Sequence, residues 1–321
     1  MILTITLNPL LERRFVYQKV DLGSSNRGGG SALSAGGKGI NVSRQLNNLD
    51  VQNHAFTFAG GNNGKILRDN LSKENINFSF VKTTSETRDA AIIYEKSSNS
   101  ISTFFSSDPI INKNEVEEFK QRLEKMIQNC QIVVFSGSSS CDETNSIVPF
   151  GIDLANKFDK ISICDVYGKQ LKNCIKSKPA ILHNNVTELE NSLGISLKSE
   201  SEILNFLDTL YRKGIKQAFI TDGKKPGYAL TFGFKYKIEN PEINPIDETG
   251  SGDSFVAGIA YCLHHNLTFD ETLKTSASLG IANAQSYETS NVKFDEMKKY
   301  FNAVKISSIG KKMKTLDVTP I

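Results

Sequence analysis

What this 321-residue chain lacks narrows its function first. There is no HExxH sequence and no close cysteine pair with metal-ligand spacing, and the four histidines form no ligand cluster. A resident zinc site therefore has no support in the sequence. The five cysteines, Cys130, Cys141, Cys164, Cys174 and Cys262, are scattered and odd in number, which points to reduced thiols in a cytoplasmic protein. No apolar run approaches the length of a membrane span. The N-terminal MILTITLNP has neither a basic region nor a cleavage site, so it reads as a first strand and not as a secretion signal. Neither sign of charge is in excess. Against 38 Lys+Arg stand 35 Asp+Glu, a net +3 that is too balanced for a nucleic-acid-binding protein. A local basic site for a small anion is still allowed.

What is present is ordinary for a globular chain: 39% hydrophobic and 23% charged residues. The length suits one large α/β domain or two modest ones, with a core large enough to need no disulfide or metal. Strand patterns fall at 2–7, 54–59, 76–81, 90–94, 101–105, 131–135, 161–165, 180–183 and 217–221. Helical patterns fall at 39–49, 65–74, 115–129, 144–157 and 199–212, and again at 253–265, 273–284 and 293–304. Such alternation implies a mainly parallel sheet covered on both faces. Segments near 12–20 and 88–106 read as strands with no helix between neighbours, and are expected to pair as a small antiparallel sheet, a lid, beside the main domain. The stretch 23–37 is rich in Gly and Ser and carries no strand pattern. His264 and His265 fall at a helix end, where solvation or capping is expected. The segment 311–321 is basic and is expected to be loosely held.

Two stretches carry chemistry. In Asp247-Glu-Thr-Gly-Ser-Gly-Asp253, a glycine turn precedes an amphipathic helix. Gly250 and Gly252 permit unusual backbone angles, and the N–H groups of the helix start attract anions. Asp253 in that first turn can act as a base toward a hydroxyl attacking a phosphate, or can merely cap the helix. In Gly36-Gly-Lys-Gly-Ile-Asn41, small residues allow close approach of a ligand and Lys38 supplies a positive charge. This is no Walker A loop, because Gly39 stands where Ser or Thr must hold Mg²⁺, and the spacing of a dinucleotide fingerprint also fails. Neither Gly137-x-Ser139 nor Gly252-x-Ser254 continues into a nucleophile elbow, which argues against a serine hydrolase.

Taken together, the chain resembles the ribokinase-like carbohydrate kinases of the PfkB family. Thr6-Leu-Asn-Pro9, Asn26-Arg27, Gly36-Gly-Lys-Gly39, Thr87-Arg88, Ser136-Gly-Ser138, Asn185-x-x-Glu188 and Gly250-Ser-Gly-Asp253 follow one another in the family's order. The first, second and third of these, with Gly280-Ile-Ala-Asn-Ala-Gln285, look most like the 1-phosphofructokinase and tagatose-6-phosphate kinase branch. The resemblance implies one three-layer αβα domain over 1–321 with a small β lid. It implies ATP-dependent phosphorylation of a terminal hydroxyl of a ketohexose monophosphate such as fructose 1-phosphate or tagatose 6-phosphate. Asp253 would be the base, and Gly250, Ser251 and Gly252 the anion hole. Lys38, Arg27, Arg88 and Ser138 would hold the sugar's phosphate, and Glu12, Gly37 and Asn41 its hydroxyls. Asn185 and Glu188 would organise Mg²⁺ through water, with no direct metal ligand. Thr221 and Gly223 would line the ATP phosphates, and Asn283 would lie near the adenine. The implied partners are ATP, a sugar phosphate and a second copy joined through the lid, with no nucleic acid and no membrane.

The chain also departs from that pattern. Glu12 replaces an aspartate, which moves the carboxylate outward by about 1.5 Å, one carbon–carbon bond. His183-Asn-Asn185 replaces Lys-Pro-Asn, and Thr221-Asp-Gly223 replaces Ser-Leu-Gly, which brings Asp222 close to the phosphates. Ser139-Ser-Cys141 stands where relatives have Leu-Pro and a small residue, and 223–227 carries an extra residue. These changes keep two other readings open: a kinase for an unphosphorylated sugar or nucleoside, and a non-catalytic sensor of sugar phosphate.

Overall fold

The computed structural model describes residues 1–310, so the segment 311–321 lies outside the described residues. The chain begins with β1 (Ile2–Thr6), β2 (Leu10–Tyr17), β3 (Gly30–Gly36), α1 (Lys38–Asn48), β4 (Asn53–Gly60) and α2 (Gly61–Lys73). It continues through β5 (Phe78–Thr83), β6 (Arg88–Glu95), β7 (Ser100–Phe105), α3 (Lys113–Gln128), β8 (Ile132–Gly137) and α4 (Ile147–Lys157). Next come β9 (Ile161–Val166), α5 (Leu171–Lys176), β10 (Ile181–Asn185), α6 (Val186–Leu193), α7 (Glu200–Arg212) and β11 (Gln217–Asp222). The last elements are β12 (Lys225–Thr231), β13 (Phe234–Glu239), α8 (Ser251–His264), α9 (Phe269–Ala284), α10 (Phe294–Phe301) and β14 (Lys305–Ile309).

Ten strands form the central sheet in the order β14-β13-β12-β11-β10-β9-β8-β1-β4-β5. From β5 to β11 every pair is parallel, and β11 to β14 close the edge as an antiparallel meander. Alternation along a strand sends successive side chains to opposite faces. Leu3, Ile5, Val133 and Phe135 join Phe119, Leu123, Ile147, Leu189 and Leu207 of α3, α4, α6 and α7 in one core. Ile2, Ile132, Val134 and Ile163 join Val42, Leu46, Val256, Ile259 and Leu279 of α1, α8 and α9 in the other. With both faces buried, these strands read as apolar runs, and that is why they were legible in the sequence. Gly39 lets α1 lie close on β1, because a Cβ there would meet the Ile5 carbonyl oxygen at 2.6 Å.

A separate four-stranded sheet has the order β3-β2-β6-β7. The small-sheet expectation needs one correction: β2 and β6 are parallel, flanked by the antiparallel pairs β2/β3 and β6/β7. The chain leaves the small sheet after β3, passes through α1, β4, α2 and β5 of the main domain, and re-enters in the same direction. Sequence reading also missed β3. Gly, Ser and Ala give it little strand propensity, so only its ladder with β2 makes it a strand. The second strand starts at Leu10 instead of residue 12, because Leu10 and Leu11 are buried. No helix among the described residues is long and apolar enough to cross a membrane.

Candidate active site

The carboxyl ends of β8, β9, β10 and β11 converge on the start of α8. Gly250 precedes that helix with φ 80° and ψ 0°, a left-handed conformation natural to glycine. The turn closes through the Ser251 N–H, which donates to the Glu248 carbonyl at 3.1 Å. The Ser251 N–H is engaged, whereas those of Gly252 and Asp253 have no partner among the described residues and leave the helix start attractive to an anion.

Asp253 is 3% exposed, and its Oδ2 accepts a hydrogen bond from Asn41 Nδ2 at 2.8 Å. Arg44 Nη1 donates to Asn41 Oδ1 at 2.8 Å and so settles which way the amide faces. Burial pushes the Asp253 carboxyl up from its ordinary 3.8 to about 7; Lys38 and the Asn41 hydrogen bond oppose this, while Asp165 and Glu188 reinforce it.

Lys38 sits among three carboxylates. Its Nζ lies 2.6 Å from Glu188 Oε1 and 3.5 Å from Asp165 Oδ2, and Asp253 adds to their field. Burial disfavours its charge, but these acids outweigh burial and raise its pKa. The resemblance implies that Lys38 holds the sugar's phosphate; in the fold its ammonium pairs with Glu188 and Asp165. Asp165, at the end of β9, is fully buried; it also accepts from Ser136 Oγ at 2.5 Å and pairs with His183 Nδ1 at 2.8 Å. Burial alone would raise its pKa, yet Lys38 and His183 hold it below the ordinary value. Sequence reasoning missed Asp165, though its place at a strand's carboxyl end was a usable signal. His183 had been noted only as a departure. Its ring stacks on Phe255 at 5.1 Å, and its Nε2 lies 3.4 Å from Thr221 Oγ1.

A cavity of about 720 Å³ opens beside these groups. Lys38, His183, Asn185, Thr221, Gly223, Ser251 and Gly252 make its polar end, and Phe255, Ile238, Ile243, Ala277 and Ile281 make an apolar slot. Asp253 is not part of this wall; it lies one residue beyond Gly252. Asn185 and Glu188 form a reciprocal capping box at the start of α6, and both also border a second cavity of about 480 Å³. Asp222 faces both cavities, and its charge is countered by Lys225 at 3.0 Å. Asn283, expected near the adenine, is 1% exposed and lies outside the cavity wall. Its amide donates to Thr249 O and Ser251 Oγ, and its Oδ1 accepts from the Ser290 N–H. These bonds brace the glycine turn.

The remaining expected residues lie toward the small sheet. Glu12 on β2 is buried against Gly36. Gly37 caps α1 with φ 122°. Arg88, at the start of β6, donates to Asp108 Oδ1 at 2.9 Å and to the Asn8 carbonyl at 3.2 Å, and its Nε is buried without a partner. Ser138 follows Gly137 at the end of β8, half-buried, and Gly137 lies against the Lys38 stem. Arg27 is not brought to the site: it is exposed in the β2–β3 loop, with no side-chain hydrogen bond or ion pair among the described residues.

Comparison with known proteins agrees with this architecture. A family model described as pfkB family carbohydrate kinase matches residues 10–296. A Staphylococcus epidermidis protein named tagatose-6-phosphate kinase is 29% identical over 313 residues, covering 96% of this chain and all of the relative. A Thermotoga maritima structure named "Possible 1-phosphofructokinase" superimposes with a TM-score of 0.88 at 24% identity, covering 96% of this chain and 99% of the other. Phosphofructokinase-2 of Escherichia coli, solved with potassium, gives 0.86 at 21% identity, with 94% and 98% covered. The fold is thus ribokinase-like α/β, matching the expected αβα architecture. This chain belongs to the pfkB family of carbohydrate kinases.

Proposed function

We propose that the protein transfers the γ-phosphoryl group of ATP to a terminal hydroxyl of a ketohexose monophosphate, fructose 1-phosphate or tagatose 6-phosphate, giving the bisphosphate and ADP. One observation carries this reading: a buried carboxyl, Asp253, titrating at about 7, sits in the first turn of a helix whose start is open to an anion and borders a cavity. The apolar slot suits an adenine base, and the polar end suits the phosphates. The acceptor hydroxyl gives its proton to Asp253 as its oxygen bonds to the γ-phosphorus. The bond from that phosphorus to the bridging oxygen breaks, and ADP leaves. The N–H groups of Gly252 and Asp253 bind charge on the transferred group.

No set of three or more His, Cys, Asp or Glu among the described residues converges to hold a metal ion. Glu188 and Asn185 are oxygen donors at the cavity edge, and they suit a Mg²⁺ ion held through water, which when bound supplies neutralisation of phosphate charge. In this reading Arg88 and Ser138 hold the phosphate of the sugar and Glu12 its hydroxyls. The small sheet acts as a lid that excludes water during transfer and limits ATP hydrolysis.

The test is an ADP-release assay with ATP, Mg²⁺ and a panel of sugar phosphates, free sugars and nucleosides. A bisphosphate product is expected from a ketohexose monophosphate, and its absence across the panel refutes the proposal. Asp253→Asn is expected to abolish turnover while ATP still binds by calorimetry.

A further inference from the structure

We propose that Arg14 is the positioning residue that ties the small sheet to the catalytic turn, so that Glu12 on one side and Asp253 on the other face the same substrate. The proposal rests on the kinase reading above and adds to it a residue that no sequence motif marked.

Arg14 projects from β2, and its side chain is 19% exposed. The guanidinium uses all three of its nitrogens. Nε donates to Glu12 Oε2 at 3.3 Å. Nη1 donates to Asp247 Oδ2 at 2.8 Å and to the Tyr287 carbonyl at 3.3 Å, and Nη2 donates to Thr289 Oγ1 at 2.6 Å. Each acceptor leads to a functional element. Asp247 also accepts the Thr249 N–H at 2.8 Å, so the same carboxylate shapes the turn and binds the arginine. Thr289 packs on Gly250, where a Cβ would collide with its methyl group. The fork therefore grips the turn from the segment before it and from the loop lying over it. Its third arm holds Glu12, which is wedged against Gly36.

Only a planar fork can serve these separate acceptors, because a lysine ammonium is a single point of charge on a flexible stem. Electrostatics favours the same arrangement. Burial works against the charge of Arg14, but Glu12 and Asp247 outweigh it and raise its pKa. Without the guanidinium, two carboxylates that are 8% and 5% exposed lose their shared counter-ion. Removing one member of a buried charge cluster leaves the rest uncompensated, which would push the small sheet off the turn. A misplacement of about 1 Å between reacting groups can cost on the order of 100-fold in rate.

The experiment uses the full-length protein with Arg14→Ala, Arg14→Lys, Asp247→Asn and the Arg14→Ala/Asp247→Asn double variant. Kinetics are measured with the sugar phosphate and ATP varied separately, and hydrogen exchange is measured on the ligand-free protein. Arg14→Ala is expected to lower kcat/KM for the sugar by about 10- to 100-fold, with KM for ATP unchanged. Exchange should quicken both in β2 and in 247–253. Arg14→Lys should restore folding and only part of the activity, and the double variant should lose no more than Arg14→Ala alone. The proposal is overturned if Arg14→Lys matches the wild type in kcat/KM, or if the variants weaken ATP and sugar equally. If the wild-type protein phosphorylates no sugar phosphate, the reaction proposed above fails separately. Exchange alone then decides the role of Arg14, and unchanged exchange in both segments overturns it.

Discussion

Removing the amide that faces the catalytic carboxylate tests the site most directly. Asn41 Nδ2 donates to Asp253 Oδ2 at 2.8 Å, and Arg44 keeps the amide from turning. Asp253 must be ionised to accept a proton, so turnover should rise with pH through about 7, the value at which its buried carboxyl titrates. A hydrogen bond to a charged group contributes about 1.5–3 kcal/mol. At about 1.36 kcal/mol for each tenfold change in proton affinity, Asn41→Ala should move the acid limb up by about one to two pH units. The assay is kcat/KM for the sugar from about pH 5 to about pH 10, whose acid limb reports the carboxyl of the free enzyme. A variant whose kcat/KM falls equally at every pH, with the limb still near 7, would refute the reasoning. Either Asp253 would not be the titrating base or Asn41 would not set its proton affinity.

Three further outcomes are expected. Because the folded protein raises the Asp253 pKa from 3.8 to about 7, this carboxyl favours folding below pH 3.8 and that contribution is lost as pH rises through about 7. Asp253→Asn should therefore be more stable than wild type at pH 8 by at most about 4 kcal/mol in urea unfolding, with the gap closing toward pH 4; a gap independent of pH sinks the assignment. Gly250→Ala forces a left-handed alanine into the Thr289 methyl group and should cost about 1–3 kcal/mol in urea unfolding along with most of the turnover, whereas a wild-type melt would show the turn to be tolerant. Arg88→Ala should raise KM for a sugar monophosphate by about 10- to 100-fold while leaving an unphosphorylated sugar unaffected. An unchanged KM would favour the reading in which the acceptor carries no phosphate.

Legibility differed by element for physical reasons. Strands β1, β8 and β9 are buried on both faces, so their composition announces them regardless of neighbours. The helix carrying Asp253 was likewise visible, because its glycine turn and its apolar face are local properties. By contrast, β3 exists only through its ladder to β2, and the meander strands β12 to β14 depend on pairing at the sheet edge. Among candidate site residues, those within a family motif were named from the sequence. Those defined by a distant partner were missed: Arg14 by its hold on Asp247, 233 residues away, and Asp165 by its pairing with Lys38, 127 residues away.

The sequence alone determined the α/β alternation, the covered parallel sheet and the glycine turn with its acid, because each rests on burial periodicity or on backbone freedom within a few residues. Tertiary structure decided the rest. It paired Lys38 with Glu188 and Asp165, set Asn283 against the glycine turn, left Arg27 in solvent and ran β2 parallel to β6. Charge and hydrogen bonds act across space, so a polar side chain's role depends on what folding brings within about 3 Å of it.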